Sequence, residues 1–336
     1  MCSRQSVYGM KHTTDVCFEG NRFYNEDCIE GCRRHIPDGS VDLIITDPPY
    51  GIGGDKLHKH YNRDESYVVD GYIEVPAKVY GKFSRDWIAE AERILRPGGQ
   101  IYVVSGYTNL HHILNALHET KLREVNHIIW KYNFGVYTKT KYVSSHYHIL
   151  YWAKPGGKRT FNTGCRFGLQ EQDESEGSLN YQDREDVWVI NREYKPGVEK
   201  NKNELPTTLL TKMIQYSSNE GDTVCDLFLG GFSTAKVTIG LGRNAVGFEV
   251  SKKIFDKKIK EMKSLKPGYL LTMLRKPERD VNVNAGKRWT QEERSTATAE
   301  YESLINTGMS RKATIGTLSK KFQRGRFGLA GVLRGA

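Results

Sequence analysis

Apolar residues along this chain fall into two alternating rhythms. The run Val41-Asp42-Leu43-Ile44-Ile45-Thr46 is short and almost unbroken, the pattern of a strand covered on both faces in a parallel sheet. Just before it, EDCIEGCRRHI sets Cys28 and Cys32 one turn apart on a predicted helix over 27–35, and Pro37-Asp38-Gly39 makes the turn between. Further on, SRDWIAEAERILRPGGQIYVVSG predicts a helix capped by Ser84, with Trp87, Ile88, Ala91, Ile94 and Leu95 on its apolar side. Pro97-Gly98-Gly99 stops that helix and QIYVVS is the next strand. A helix near 109–120 and the strand HIIWKY repeat the pattern. After residue 205, PTTLLTKMIQYSS reads as a helix, and DTVCDLFLGGFSTAKVTIGLGRNAVGFEV as strand, glycine turn, helix, turn, strand. Strand and helix in alternation predict an α/β fold with a doubly wound, mostly parallel sheet.

The rhythm lapses in three places. Residues 51–84 are rich in Gly, Tyr and charge, and a loop of that length inside a compact domain is expected to be functional and to order over bound ligands. Residues 131–200 turn polar, aromatic and basic, as in YTKTKY, KPGGKR and GCRFG; Tyr interleaved with Lys and Arg suits base stacking and phosphate contact. Residues 278–336 hold 11 Lys or Arg against 6 Asp or Glu, with a Thr290–Glu293 capping box and apolar positions at Trp289, Tyr301, Leu304, Ile305, Ile315, Leu318, Phe322, Phe327 and Leu333. Three short helices are expected there, loosely resembling a Myb-like or helix-turn-helix module whose last helix is the basic one. The divisions are then an N-terminal extension (1–20), a first α/β half (21–130), a polar and basic region (131–200), a second α/β half (201–275) and a basic helical tail (276–336).

Charge narrows the partner. A net +10 over 336 residues favours a polyanion, since Lys and Arg gain by displacing counterions from phosphate. Lys139, Lys141, Lys158, Arg159, Arg166, Lys320, Lys321, Arg324 and Arg326 are the candidate phosphate contacts. Six scattered Cys and no charged-then-apolar leader predict a reducing cytoplasm, and no apolar run is long enough to span a bilayer. Cys28, Cys32 and His35 lack a second Cys pair, so no metal site is expected.

Two segments carry chemistry. In Asp226-Leu227-Phe228-Leu229-Gly230-Gly231-Phe232-Ser233-Thr234 a strand ends on a carboxylate and a glycine turn opens a helix, letting backbone approach a ligand closely. A second strand ends in Glu249, placed to accept from two ribose hydroxyls. Without a Gly-Lys-Ser or a full Gly-x-Gly-x-x-Gly, the adenosine ligand fits S-adenosylmethionine better than a nucleoside triphosphate or NAD. The other segment, Thr46-Asp47-Pro48-Pro49-Tyr50, closes the 41–46 strand. Its prolines hold the backbone extended and aim the Pro48 carbonyl outward. Asp47 and that carbonyl can accept both hydrogens of one exocyclic amine, drawing its nitrogen toward tetrahedral geometry and freeing the lone pair. Tyr50 can stack on the base, which must then have left its helix. A rigid turn is the structural alternative for the tetrapeptide.

With these motifs in this order over roughly residues 20–262, the chain resembles β-class DNA amino-methyltransferases. The resemblance rests on NEDCIE, PDGSVDLIITDPPYG, ILRPGGQIYVVSG, ILYWAK, DVWVI, LPTTLLTKMI, GDTVCDLFLGGFSTAKV and LGRNAVGFEV. It implies a seven-stranded Rossmann-like sheet, with Asp27 near the adenine of S-adenosylmethionine. Asp226, Phe228, Gly230, Gly231, Ser233, Thr234 and Glu249 would line the cofactor site, with Thr207 by the methionine end. Asp47, Pro48, Pro49 and Tyr50 would hold the target base. Leu227 departs from the family's proline and Phe232 from its second glycine, HYHILYW lacks an acidic residue after its first His, and KNELPTTLL stands for the usual His-Pro-Thr-Gln-Lys-Pro. The expected reaction is methyl transfer to adenine N6 in double-stranded DNA by a cytoplasmic, nucleoid-associated monomer or homodimer, in a restriction-modification system with a cognate restriction endonuclease. Cytosine N4, an RNA amine and a catalytically weak DNA-binding regulator are the alternatives; no Cys follows a Pro, which argues against cytosine C5 chemistry.

Overall fold

A computed structural model describes residues 15–51, 75–133, 135, 139–162, 184–193, 204–271, 284 and 287–333, the side chain of Phe327 excepted. The chain divides into two units, Met1–Lys276 and Pro277–Ala336. In the first, the strands are β1 (Asp15–Phe18), β2 (Asn21–Tyr24), β3 (Val41–Thr46), β4 (Leu95–Ser105), β5 (Arg123–Lys131), β6 (His146–Ala153), β7 (Val187–Val189), β8 (Thr223–Asp226) and β9 (Asn244–Phe248). They form one sheet in the order β1-β2-β9-β8-β3-β4-β6-β5-β7. Strands β2, β9, β8, β3 and β4 are mutually parallel, and β6 runs antiparallel between β4 and β5. The described sheet has nine strands rather than seven: β1 adds antiparallel at one edge and β7 parallel at the other.

The unbroken apolar run of β3 has a direct cause in this layering. Ile44 sits in a core with Cys28, Cys32, Trp87, Ile88 and Leu117, whereas Leu43 and Ile45 sit in another with Leu209, Met213, Ile214 and Val237. Alternate residues thus enter separate cores on opposite faces, and a polar position on either face would be desolvated. Cys28 and Cys32, on helix α1 (Cys28–His35), are packing residues.

Helix α2 runs over Ala77–Ile94, two turns longer at its start than the sequence reading, and Ser84 is not its cap. The buried Ser84 hydroxyl donates to the Tyr80 carbonyl one turn back, while Tyr80 and Phe83 extend the apolar stripe. Pro97-Gly98-Gly99 lies inside β4, not before it. Gly98 has φ of +79°, and a Cβ there would meet the Lys158 carbonyl at 2.4 Å, so only glycine lets the two chain segments pass. Helices α3 (Leu110–His118), α4 (Thr207–Ser217), α5 (Ser233–Gly240) and α6 (Lys252–Lys263) complete the covering layers. No described helix is long and apolar enough to cross a membrane.

The second unit holds α7 (Gln291–Asn306), α8 (Arg311–Phe322) and α9 (Arg326–Val332) around Ala297, Leu318 and Leu329. Thr290 and Glu293 form the expected capping box. The basic helix is α8, with Arg311, Lys312, Lys320 and Lys321, and not the last one, which carries Arg326 alone.

Candidate active site

Because β2, β9, β8, β3 and β4 run parallel, their carboxyl-terminal ends share one edge of the sheet, the usual ligand edge of such folds. Asp47 follows β3, Asp226 ends β8 and Glu249 follows β9, so three carboxylates stand on three consecutive strands.

The Asp47 turn is held from outside. Tyr80 on α2 donates to the Pro49 carbonyl at 2.8 Å, and Asn109 donates to the Tyr50 and Gly51 carbonyls at 2.6 and 3.3 Å. Gly51 has φ of +65°, and a Cβ would strike the Tyr80 ring at 2.6 Å, which explains a glycine after the tetrapeptide. Pro48 is buried, and among the described residues no donor reaches its carbonyl. The Tyr50 hydroxyl donates to Asp47 Oδ1 at 2.6 Å. Burial lifts the Asp47 carboxyl to about 7; the Asp226 charge adds to the rise, while the Tyr50 hydrogen bond and the Arg192 charge oppose it. The Tyr50 ring faces Tyr147 at 5.7 Å and 27°.

The glycine turn is held from inside. Asp226 Oδ1 accepts from the Thr46 hydroxyl and the Phe228 amide, each at 3.0 Å, and Thr234 donates to the same carboxyl. Glu249 Oε2 accepts from the Gly230 amide at 2.9 Å and Oε1 from the Ser251 amide at 2.7 Å, leaving further lone pairs on both oxygens for ribose hydroxyls. Burial raises Asp226 to about 6 and Glu249 to about 7, against the hydrogen bonds that favour their ionised forms. Phe232 takes the left-handed φ of +62° expected of the glycine it replaces. Its ring turns into the core, 5.5 Å from Phe23 and 6.0 Å from Phe255, and is fully buried. Leu227 is likewise buried in the core. Neither departure from the family pattern takes up space by the turn.

Other expected residues have more local roles. Asp27 caps α1, accepting from the Ile29 and Glu30 amides. Thr207 opens α4, its amide donating to Glu193 at 2.5 Å. Gly231 is as close as a turn allows, since a Cβ would meet Glu204 Oε1 at 2.3 Å, and Ser233 opens α5. Asp15, Glu26 and His35 have ligand-type atoms within 4.8 Å of one another, but Glu26 is already paired with Arg34 and with His35.

The basic residues sort by strand direction. Exposed Lys139 and Lys141 precede β6, whose first residue pairs with the last of β5, on the carboxylate edge. Lys158 and Arg159 follow the end of β6, whose chain continues past Gly98 in the first half of β4; they belong to the opposite edge and do not join the site. Arg166 lies outside the described residues. Arg324 is 4% exposed, paired with Glu293 at 2.9 Å, bonded to the Asn284, Lys287 and Arg288 carbonyls and stacked on Trp289 at 4.4 Å. It is a structural arginine rather than a DNA contact. Lys321 is paired with Glu300, while Lys320 and Arg326 are exposed.

Sequence reasoning missed the wall behind Tyr50. Tyr147 on β6 lies 5.5 Å from Trp130 and from Tyr132, and Arg192, just past β7, places its guanidinium 4.8, 5.2 and 6.0 Å from the Tyr132, Tyr147 and Trp130 rings. The spacing of Tyr and Arg in residues 131–193 was the available signal.

Fold and site together define an α/β protein with three carboxylates at the carboxyl-terminal edge of its parallel strands. Residues 41–261 match the DNA methylase family N6_N4_Mtase, and the chain belongs to that family. It is 30% identical over 230 residues to Type II methyltransferase M.HpaI of Haemophilus parainfluenzae, covering 66% of this chain and 68% of that one. It is also 30% identical over 263 residues to Type II methyltransferase M.HinfI of Haemophilus influenzae, covering 74% and 69%. A Thermus thermophilus protein crystallised in complex with S-adenosyl-L-methionine has the same fold, with a TM-score of 0.51 at 22% identity over 72% of this chain and 93% of that chain.

Proposed function

We propose that this DNA methyltransferase transfers a methyl group from S-adenosylmethionine to N6 of an adenine flipped out of duplex DNA, as the modification enzyme of a restriction-modification system. The observation that carries this reading is Asp47 beside a Pro48 carbonyl that no described donor engages, one strand from Asp226 and two from Glu249. The cofactor supplies an electrophilic methyl group on a sulfonium cation. Glu249 and Asp226 suit it, being buried carboxyls whose ionisation a cationic, hydroxyl-bearing ligand would reward.

On the base side, Asp47 and the Pro48 carbonyl accept the two amine hydrogens, so the nitrogen lone pair is turned out of conjugation. Once it carried the methyl group, the amine would have to shed one proton, which a residue of the chain must accept. Asp47, with a carboxyl near 7, is matched to take it at neutral pH. Tyr50 yields its hydrogen bond to the incoming amine and presents its ring to the base. An Asp rather than a Ser in the first position favours adenine over cytosine. Lys139 and Lys141 on the carboxylate edge, with Lys320 and Arg326 in the helical unit, are phosphate contacts in this reading.

The test is incubation with labelled S-adenosylmethionine and unmethylated DNA, followed by nucleoside analysis. N6-methyladenine is expected; N4-methylcytosine would transfer the reading to the other amine. DNA binding without methyl transfer would overturn both in favour of a regulator.

A further inference from the structure

Arg192 occupies an unusual position for a cation. Its guanidinium lies over three aromatic rings, its Nη2 donates to the Tyr147 hydroxyl at 2.8 Å, and its buried Nε–H has no hydrogen-bond partner among the described residues. No carboxylate forms an ion pair with it among those residues. A half-buried charge that no described carboxylate pairs with projects its field into its surroundings, and Asp47 is a carboxylate that feels it.

The contacts form a continuous series. Arg192 holds the Tyr147 hydroxyl, the Tyr147 ring faces Tyr50, and the Tyr50 hydroxyl rests on Asp47. These residues come from the segment after β7, from β6 and from the turn after β3, so they meet only because β6 and β5 are inserted beside β4.

We propose that Arg192 is a positioning residue of the methyl-transfer site, which fixes Tyr147 and Tyr50 against Asp47 and sets its positive charge on the side of the Asp47 carboxylate. The inference rests on the methyl-transfer reading for its consequence, though not for its first measurement. Among the described residues, the Tyr50 hydroxyl, the Asp226 carboxylate from β8 and Arg192 act on Asp47, with the Tyr147 ring behind Tyr50. Asp226 disfavours the Asp47 anion and Arg192 favours it, so the arginine offsets a repulsion that two neighbouring carboxylates impose on one site. The anion is the stronger acceptor of an amine hydrogen and the only form of Asp47 that can take up the proton the amine sheds, which links this charge to the rate.

The experiment uses the full chain with Arg192→Gln, Arg192→Lys and Tyr147→Phe. The Asp47 carboxyl is titrated directly by carbon NMR of aspartate-labelled protein, with Asp47→Asn to assign the signal. Arg192→Gln is expected to move the Asp47 midpoint alkaline by about one pH unit, Arg192→Lys to return it most of the way, and Tyr147→Phe to move it by less than Arg192→Gln. An Asp47 midpoint unchanged in a folded Arg192→Gln chain overturns the inference, whatever the protein methylates. Methyl-transfer rates against pH then test the consequence. Arg192→Gln should lose roughly tenfold below the midpoint and recover above it, since moving the midpoint by about one pH unit changes the ionised fraction about tenfold there. A pH-independent loss would mean that Arg192 only braces the wall and would equally overturn the electrostatic role. If the midpoint moves and no chain methylates DNA, the functional reading fails and the electrostatic inference stands.

Discussion

The turns after β3 and β8 do similar work by opposite means. In the Asp47 turn two prolines stiffen the backbone and distant side chains, Tyr80 and Asn109, hold its carbonyls. Its carboxylate is left with a single described donor, the Tyr50 hydroxyl. In the Asp226 turn two glycines and a left-handed Phe232 bend the backbone, and carboxylates hold it: Asp226 takes the Phe228 amide and Glu249 the Gly230 amide. One loop relies on other residues to keep its acid open; the other commits its acids to shaping its backbone. A chemical step needs the first arrangement, because the acid must change partners in the transition state, while tight cofactor binding needs the second.

Asp47→Ala should therefore give the largest effect, a loss of about 10³-fold or more in methyl transfer with cofactor affinity changed less than about threefold by calorimetry. Glu249→Gln should do the reverse, weakening cofactor binding first. Substantial turnover by Asp47→Ala would erase the distinction between the turns. Phe232 sharpens it from the other side. Removing its ring should cost about 3–5 kcal/mol by urea denaturation, since the side chain fills the core with Phe23 and Phe255. Phe232→Gly should be the milder of two truncations, by about 1 kcal/mol against Phe232→Ala, because glycine carries no penalty at φ of +62°. An alanine variant as stable as the glycine variant would show that the turn does not depend on that conformation.

These contrasts were only partly readable from the sequence. The apolar run of β3 announced its two-sided burial, and the Thr290–Glu293 spacing announced its capping box, because both are local patterns. The start of α2 was misplaced because Ser84 is a common cap residue, and only the structure shows its hydroxyl turned back onto Tyr80. Charge in the sequence says nothing of partners: Arg324 looked like a phosphate contact and is engaged by Glu293 and three carbonyls. Lys158 and Arg159 fell to the far edge because β6 reverses direction, a fact of topology rather than composition. The places of Asp47 and Glu249 at strand ends were legible, whereas Arg192 and Tyr147 meet across 45 positions and needed the pairing of β5 with β6 and β7.

The acids of both turns also predict a pH dependence of stability. Asp47, Asp226 and Glu249 have folded values near 7, 6 and 7, all raised by burial above the ordinary values of 3.8 and 4.5. Between the two ranges the folded chain keeps protons that the unfolded chain has released, so stability falls as pH rises. The cofactor-free chain should thus lose stability from about pH 4 to about pH 7, read as a falling urea midpoint, with this contribution fully present below the lower range. Glu249→Gln should flatten that slope in part, and saturating S-adenosylmethionine should flatten it further by favouring the ionised acids. A wild-type slope retained in Glu249→Gln would mean that the carboxylates of the glycine turn are not under strain.

The smallest effects should come from the outside supports of the Asp47 turn. Tyr80→Phe removes one hydrogen bond of 2.8 Å to the Pro49 carbonyl, and Asn109→Ala removes those to Tyr50 and Gly51. Each should cost about 1 kcal/mol of stability, with the prolines limiting how far the turn relaxes. Methyl transfer should fall by about three- to tenfold in each, through misplacement of Asp47, while cofactor affinity stays as it was. Because the two supports grip adjacent residues, the double variant should depart from additivity by about 0.5 kcal/mol or more. If instead cofactor affinity fell along with rate in either single variant, the two turns would be one mechanical unit, and the division between an open acid and a committed one would no longer describe the site.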